Sequence, residues 1–200
     1  MTSASTKTQI LDIAQELMQR RGVNAVSYAD ISAAVGIRKA SIHYYFPHKA
    51  DLVVAVLQRY SSSFFDLLDR TLATSVAPEV KLRRYCDLYA ATLGSGDRDK
   101  ACLCGMLGAA LTTLDPISAQ LVQAFYRGNL QRLEQILEQG LGAGEFQFVG
   151  SVTAMATAIF AFLEGGQIVA RADGGIEQYR DSIEQILRLT RGSAAKPRST

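Results

Sequence analysis

Tryptophan is absent from the 200-residue chain, and proline, the strongest breaker of helices, occurs only four times. Cysteine is scarce and odd in number (Cys86, Cys102 and Cys104), which argues against a disulfide framework. The first ten residues, MTSASTKTQI, lack the apolar stretch of a secretory signal, which predicts a cytoplasmic protein. Because the net charge is only +2, any affinity for nucleic acid must come from local clusters of charge.

The motifs of common enzyme classes are also missing. The sequence has no Gly-rich phosphate loop, no CxxC redox pair and no recognisable nucleophile motif. The run CLC at 102–104 separates two cysteines by two positions, which places them about 200° apart on a helix, so they suit neither a dithiol pair nor a shared metal. We therefore predict no enzyme, no metal site and no cofactor, with a thiol-dependent enzyme as an alternative.

One apolar stretch tests the membrane alternative. The segment SVTAMATAIFAFLEGGQIVA, residues 151–170, carries a single charge, Glu164, and is about long enough to span a bilayer. No aromatic belt or flanking basic cluster frames it. We interpret it as a helix buried between other helices or in a subunit interface, and predict no membrane partner.

The rest of the chain shows helical periodicity almost throughout. Ser27 and Asp30 form a capping-box signature, and Gly36 follows as a helix stop. We predict an all-α fold, with a short three-helix head at 1–48 that carries a helix-turn-helix, a helical effector-binding and dimerisation domain at 49–192, and a disordered tail at 193–200. Helices are predicted over roughly 28–35, 38–45, 49–73, 100–114 and 151–171. Four more are marked by their apolar stripes: one from Ile10 that ends before Gly22, one between Pro78 and Gly94, one from Val122 to Leu137, and one from Ile176 to Leu187.

The head is rich in cations and hydrogen-bonding side chains. Residues 1–50 hold six Lys or Arg and three Asp or Glu, so they carry +3 while the remaining residues carry −1. In a helix-turn-helix the second helix enters the major groove, where such side chains contact phosphates and base edges. The alternative interpretation is that the aromatic residues are partly buried and the charges only keep the surface hydrated.

The stretch SYADISAAVGIRKASIHYYFPHKADLV, which begins at Ser27, resembles the DNA-binding signature of the TetR family of transcriptional repressors. The sequence departs from that signature at Arg38, His43 and His48. The resemblance implies a DNA-contacting set, in which Lys39 and Lys49 bind phosphate and Ser41, His43 and Tyr44 are the candidates for reading bases. The predicted DNA-binding residues are Ser27, Tyr28, Arg38, Lys39, Ser41, His43, Tyr44 and Lys49.

The resemblance also implies a homodimer that binds a near-palindromic double-stranded operator, since one head contacts too little DNA for useful specificity. The last two helices are the expected interface, unless they only complete the core of one subunit. The predicted interface residues are Phe162, Gly165, Gly166, Tyr179, Ile183 and Ile186.

The segment KACLCGMLGAALTTLDP, residues 100–116, resembles the corresponding stretch of TetR-family repressors that respond to N-ethylmaleimide and related electrophiles. Cys102 lies near the start of its predicted helix, close to Arg98 and Lys100, where a thiolate is favoured. We predict Cys102 as a thiol sensor, and Cys86 and Cys104 as small buried residues.

Reversible binding of an apolar inducer stays open beside the thiol hypothesis. Its pocket would be lined by large side chains of the second domain, although several of these also suit plain core packing. The candidate lining residues are Phe64, Tyr85, Tyr89, Met106, Phe125 and Phe160. The predicted function is a repressor that an inducer releases from its operator, and a non-specific DNA-binding protein is a further alternative that the modest net charge disfavours.

Overall fold

The computed structural model describes residues 5–94, 100–173 and 175–191. Within these ranges the regular structure consists of nine α-helices and one short 3-10 helix, Leu111–Thr113. The predicted all-α fold is confirmed. The α-helices are α1 (Thr6–Arg21), α2 (Tyr28–Val35), α3 (Lys39–Tyr45), α4 (Lys49–Leu72), α5 (Pro78–Gly94), α6 (Leu103–Gly108), α7 (Pro116–Gly142), α8 (Val152–Ala172) and α9 (Gly175–Arg191).

The described residues divide into two compact units. Unit 1 comprises Met1–Leu67 and Asp99–Arg127, and unit 2 comprises Leu68–Arg98 and Gly128–Thr200. The segment that carries Cys102 therefore groups with the head, whereas α5, α8 and α9 form the other unit. The predicted domain boundary at 48/49 stays a prediction, and the predicted tail at 193–200 lies outside the described residues.

Local signals in the sequence set the helices of the head. The hydroxyl of Ser27 accepts from the amide of Asp30, and the Asp30 carboxylate accepts from the amide of Ser27, so the predicted capping box is present. Gly36 ends α2 with φ 78° and ψ 31°, a left-handed conformation that glycine adopts at little cost. Ile31, Ile42 and Phe46 are buried and form the interior of the head.

In unit 2 the helices α5, α8 and α9 pack against one another. Ile159, Leu163 and Leu187 are almost fully buried, and a bidentate ion pair joins Arg83 of α5 to Glu184 of α9. The side chains of that ion pair are more than a third exposed, so burial of apolar surface is the larger stabilising contribution.

One helix is shorter than predicted. In place of a helix over 100–114, α6 spans Leu103–Gly108 and the 3-10 helix follows it. Residues 100–102 have no regular secondary structure, and the backbone amide of Ala101 donates to the carbonyl of Gln19 of α1 instead of forming a helical hydrogen bond. Cys102 consequently occupies the N-cap position, so the expected 200° separation of Cys102 and Cys104 around one helix does not apply.

Gly140 lies against the ring of Phe146, which folds back over the end of α7. A Cβ added at Gly140 would overlap the Phe146 ring, whereas a Cβ at Gly142 would have no atom within 4 Å. We expect Gly140→Ala to lower the free energy of unfolding by about 1–3 kcal/mol through overpacking. Gly142→Ala is the matched control and should change it by less than about 1 kcal/mol, since only helix propensity is altered. Urea unfolding at equal protein concentration measures both, and equal losses would contradict the packing argument.

Candidate functional site

The exposed surface of α3 carries most of the predicted DNA contacts. Lys39, His43 and Tyr44 are exposed on α3, and 81% of the Tyr44 surface is accessible. Ile42, which lies between His43 and Ser41 in sequence, is fully buried and anchors the helix from behind. This arrangement leaves a positively charged and aromatic surface available to another molecule.

Five of the eight predicted DNA-contacting residues line a concave surface that encloses a volume of about 530 Å³. Asn24, Pro47 and His48 contribute to its rim. Arg38 is exposed at the N-cap of α3, while Ser41 is half-buried, and both lie outside this lining. The five predicted residues that line the surface are Ser27, Tyr28, Lys39, His43 and Lys49.

Tyr28 connects the start of α2 to the end of α3. Its hydroxyl donates to the carbonyl of Phe46 at 2.8 Å, and its ring meets the His43 ring edge-on with centroids 4.8 Å apart. Burial, with a smaller contribution from the Asp51 carboxylate, raises the pKa of Tyr28 to about 12. Tyr28 is thus held as a neutral hydrogen-bond donor that positions His43.

Lys49 is engaged within the head as well. Its Nζ donates to the carbonyl of Val23 at 2.7 Å, and the side chain is half-buried. Burial lowers the pKa of Lys49, and the Asp30 carboxylate opposes that effect. Lys49 therefore ties the start of α4 to the α1–α2 loop, in addition to presenting a cation at the concave surface.

The three cysteines form no disulfide, and all are buried. Cys86 and Cys104 are 0% exposed, which confirms the expectation that they are small core residues, and Cys102 is only 1% exposed. Burial raises the pKa of the Cys86 thiol to about 12. The hydroxyl of Tyr60 donates to Sγ of Cys102 at 3.4 Å.

Aromatic side chains surround the thiol region in unit 1. The ring centroid of Phe125 lies 5.1 Å from that of Phe64 and 5.8 Å from that of Tyr60. Met106 is half-buried on α6, and its Cε lies 3.8 Å from where a Cβ on Gly22 would stand. Three of the predicted pocket residues, Phe64, Met106 and Phe125, therefore belong to unit 1.

The other three predicted pocket residues, Tyr85, Tyr89 and Phe160, are buried in unit 2. The hydroxyls of Tyr85 and Tyr89 both donate to Oδ1 of Asn129, at 2.7 and 3.1 Å. Asn129 is fully buried and was not among the predicted site residues. Its position midway between Phe125 and Leu133, four residues from each, is the sequence signal that places it on the buried side of α7.

The predicted dimer residues divide into core and surface. Tyr179 and Ile183 are 2% and 3% exposed within one chain, and the Tyr179 hydroxyl donates to the carbonyl of Leu163. Phe162 stacks on Tyr179, and Gly166 lies under the same ring, where an added Cβ would be 2.6 Å from Cε2 of Tyr179. Tyr179 and Ile183 therefore pack α9 onto α8 within one chain, and their assignment to a subunit interface stays a prediction.

One surface of α8 is exposed and almost free of charge. Ala161, Gly165 and Val169 recur every fourth residue on it, and they line an apolar groove of about 270 Å³ together with Phe162, Gly166 and Tyr179. The helix is long and apolar enough to cross a membrane by length and composition alone, and only 28% of its apolar window is buried. Ile186 of α9, the remaining predicted interface residue, is half-buried.

A metal site has no support among the described residues. Over 5–94, 100–173 and 175–191, no group of three or more His, Cys, Asp or Glu side chains could hold an ion.

Comparisons with known proteins match both parts of the chain. Residues 10–56 match the family of bacterial regulatory proteins, tetR family, and residues 78–186 match the tetracyclin repressor-like C-terminal domain. The chain belongs to the TetR family.

TetR-family relatives are similar over nearly the whole length. The transcriptional regulator AcuR of Cereibacter sphaeroides is 27% identical over 79% of this chain and 73% of its own. A TetR-family crystal structure from Agrobacterium tumefaciens is 30% identical, with a TM-score of 0.87 over 92% of this chain and 97% of that one.

A more distant relative is also similar over most of the chain. The HTH-type transcriptional repressor NemR of Escherichia coli is 22% identical over 92% of this chain and 94% of its own. The crystal structure of its reduced form has a TM-score of 0.76 over 94% of this chain and all of that one. NemR is thus a distant homologue.

TetR-family membership makes the chain a DNA-binding transcriptional regulator and not an enzyme. It implies binding to operator DNA and a ligand-responsive dimer.

Lys39 and Lys49 should differ in how they support DNA binding. We expect either alanine substitution to weaken binding to all sequences and to reduce the slope of log K against log salt by about one unit, because one phosphate contact is lost. Only Lys49→Ala should also lower the melting temperature, since it removes the hydrogen bond to Val23. Anisotropy titrations at several salt concentrations, with melting curves, test both. An unchanged slope would remove that lysine from the contact set.

Proposed function

We propose that the protein is a homodimeric repressor that binds a near-palindromic operator in the cytoplasm and leaves it when an inducer acts on the second predicted domain, 49–192. The observation that carries the DNA-binding part is the concave surface lined by Ser27, Tyr28, Lys39, His43 and Lys49. It joins cations and hydrogen-bond donors beside the exposed α3, as entry into a major groove requires. No cofactor or membrane is part of the proposal.

The exposed surface of α8 supports the homodimer. Small side chains at Ala161 and Gly165 permit close approach of a second helix, and exposed Ile168 and Val169 supply apolar area. A chain that left this surface in water would expose a contiguous apolar patch, which marks an interaction site. In this proposal α8 of one subunit packs on α8 and α9 of the other, with Gly165, Phe162 and Ile186 retained from the predicted interface.

Gly165→Arg should separate the subunits without unfolding them. No atom lies within 4 Å of a Cβ at Gly165, so the larger side chain fits one chain but blocks a second. We expect sedimentation to show half the parent mass, and operator affinity to fall at least about tenfold because two half-sites are no longer bound together. Gly142→Arg is the control, since Gly142 also has no neighbour within 4 Å and lies outside α8. A Gly165→Arg variant of parent mass would contradict this interface.

For the inducer, we propose an electrophile that modifies Cys102. The Tyr60 hydroxyl beside Sγ and the similarity to NemR, for which a reduced form has been distinguished, support this assignment. In the reaction with an activated alkene such as N-ethylmaleimide, sulfur bonds to one alkene carbon, the π bond breaks, and the thiol proton ends on the other carbon. Reversible binding of an apolar molecule beside the predicted pocket residues of unit 1, Phe64, Met106 and Phe125, is the second candidate, supported by the aromatic side chains around Phe125.

Because Cys102 is buried, its modification should move the segment around it. Cys102 is 1% exposed, so an added ring has to be accommodated inside the protein, and we expect it to displace the residues around the thiol. An adduct therefore persists only in a conformation where the surrounding segment has moved. Because a ligand shifts an equilibrium by its difference in affinity for two states, an adduct compatible with only one state is an effective inducer.

The deciding experiment measures anisotropy on DNA from upstream of the protein's own gene, before and after N-ethylmaleimide. We expect modification to weaken operator binding by a coupling free energy of about 1–3 kcal/mol or more. Cys102→Ser should bind operator and resist the reagent, and Cys86→Ser should behave like the parent, because the Cys86 thiol is buried with a pKa near 12. Peptide mass spectrometry identifies the labelled residue.

Each result has a distinct meaning. Loss of binding in the parent and not in Cys102→Ser supports the electrophile sensor. Binding that survives complete modification of Cys102 would make this thiol a packing residue and leave reversible ligands as the inducer class. No specific binding to any upstream fragment would contradict the repressor proposal itself.

A further inference from the structure

Two hydrogen bonds join α1 to the residue just before Cys102. The side-chain Nε2 of Gln19 donates to the carbonyl of Ala101 at 2.9 Å, and the amide of Ala101 donates to the carbonyl of Gln19 at 3.3 Å. Gln19 and Ala101 are 7% and 1% exposed. One residue of α1 therefore satisfies both backbone groups of one residue that is 82 positions away, in a place shielded from water.

Further contacts continue along the same stretch, which we call segment 100–113. Lys100 lies 3.7 Å from the carboxylate of Glu16, and the side-chain amide of Asn24 donates to the Thr113 hydroxyl at 3.0 Å. These two contacts are more exposed than the Gln19–Ala101 pair, and exposed ion pairs contribute little. Gln19 is therefore the strongest polar link between α1 and the segment.

Segment 100–113 is also held in place around Cys102, the proposed thiol sensor. Tyr60 of α4 donates to Sγ of Cys102, and the hydroxyl of Tyr126 on α7 donates to the carbonyl of Cys104 at 3.1 Å. Segment 100–113 thus lies within unit 1 between α1 and side chains of α4 and α7. A displacement at Cys102 acts directly on Ala101, because the two residues share a peptide bond.

Helix α1 in turn contacts α2, which contacts α3. An ion pair of 3.8 Å between Arg21 and Asp30 accompanies the α1–α2 contact. A change in the position of α1 therefore reaches the helix that carries Lys39, His43 and Tyr44.

We propose that Gln19 is the positioning residue through which segment 100–113 controls the DNA-binding head. The inference rests on the proposed repressor function and names how that function is regulated. While both hydrogen bonds are made, α1 is held in the orientation that binds operator. When the segment moves, both bonds break together, because both partner atoms belong to Ala101.

Linkage allows a test that needs no inducer. If the segment affects operator affinity, operator binding must stabilise the segment by the same factor. Amide hydrogen exchange reports that stabilisation, since protected amides exchange through local opening. The probe is the operator fragment found in the anisotropy experiment, added to the full-length protein.

In the parent, operator should slow exchange of the amides in 101–109 by about fivefold or more, the low end of typical coupling. Gln19→Met keeps the size of the side chain and removes its donor, while the backbone carbonyl of residue 19 can still accept from the Ala101 amide. In this variant the remote slowing should be clearly smaller than in the parent, while protection of α2 and α3 remains. Gln9→Ala, on the exposed part of α1, is the control and should behave like the parent.

Gln19→Glu provides a second test, because a residue that only supports the fold would not produce the pH-dependent coupling expected here. An ionised carboxylate cannot donate to the Ala101 carbonyl, whereas a protonated one can, so the coupling should be weak at pH 8 and return as the pH falls through the titration of the carboxyl. No change in exchange of 101–109 when the parent binds operator would overturn the inference and leave the repressor function intact. Undiminished coupling in Gln19→Met would overturn it too, and a parent that binds no operator would overturn both.

Discussion

The position of α1 is the constraint on which the rest of unit 1 depends, because this helix touches both the α2–α3 pair and the segment before Cys102. The two attachments differ in strength. Exposing a buried side chain such as Ile31 or Ile42 costs about 1.5–3 kcal/mol each, so the head resists deformation and moves as one body. The Gln19–Ala101 link consists of two neutral hydrogen bonds, with a net contribution of about 0.5–1.5 kcal/mol each. The link is therefore the part of unit 1 that a modest perturbation can break, and its size matches the 1–3 kcal/mol typical of allosteric coupling.

Buried polar side chains within apolar stripes recur in both units. Gln19, Asn129 and Gln167 are all buried, and each has a specific partner: the Ala101 carbonyl, two tyrosine hydroxyls, and the Tyr89 carbonyl. A buried amide without a partner would cost about 1–3 kcal/mol, so each of these residues disfavours any packing that separates it from its partner. Apolar contacts alone tolerate small shifts in register. The buried side-chain amides therefore favour one packing arrangement in each unit, which burial of apolar area alone would not select.

The sequence predicted what local chemistry determines. The capping box at Ser27 and Asp30, the left-handed Gly36 and the burial of Cys86 and Cys104 are each encoded within a few residues. The shortened α6 was not predictable, because Ala101 leaves helical structure for a partner 82 residues away. The burial of Tyr179 and Ile183 within one chain was not predictable for another reason: periodicity identifies the apolar face of α9 but does not tell whether that face meets α8 of the same chain or a second subunit. Asn129 could have been found from its four-residue spacing to Phe125 and Leu133, since a polar residue in an apolar stripe is buried with a partner.

The burial of Cys102 sets the speed of a thiol sensor and does not prevent one. A thiol that is 1% exposed reacts only from open conformations, so its rate is the intrinsic rate multiplied by the open fraction. Every 1.4 kcal/mol of opening cost slows the reaction about tenfold. A reversible ligand would have to supply that cost from its own binding free energy, by preferring the open state. A covalent adduct accumulates with time and keeps the segment around Cys102 in its open conformation. Even if that segment opens rarely, all molecules are therefore eventually converted to the open conformation. Slow capture followed by a persistent signal is therefore what this buried thiol, hydrogen-bonded to Tyr60 and next to Ala101, is suited to produce.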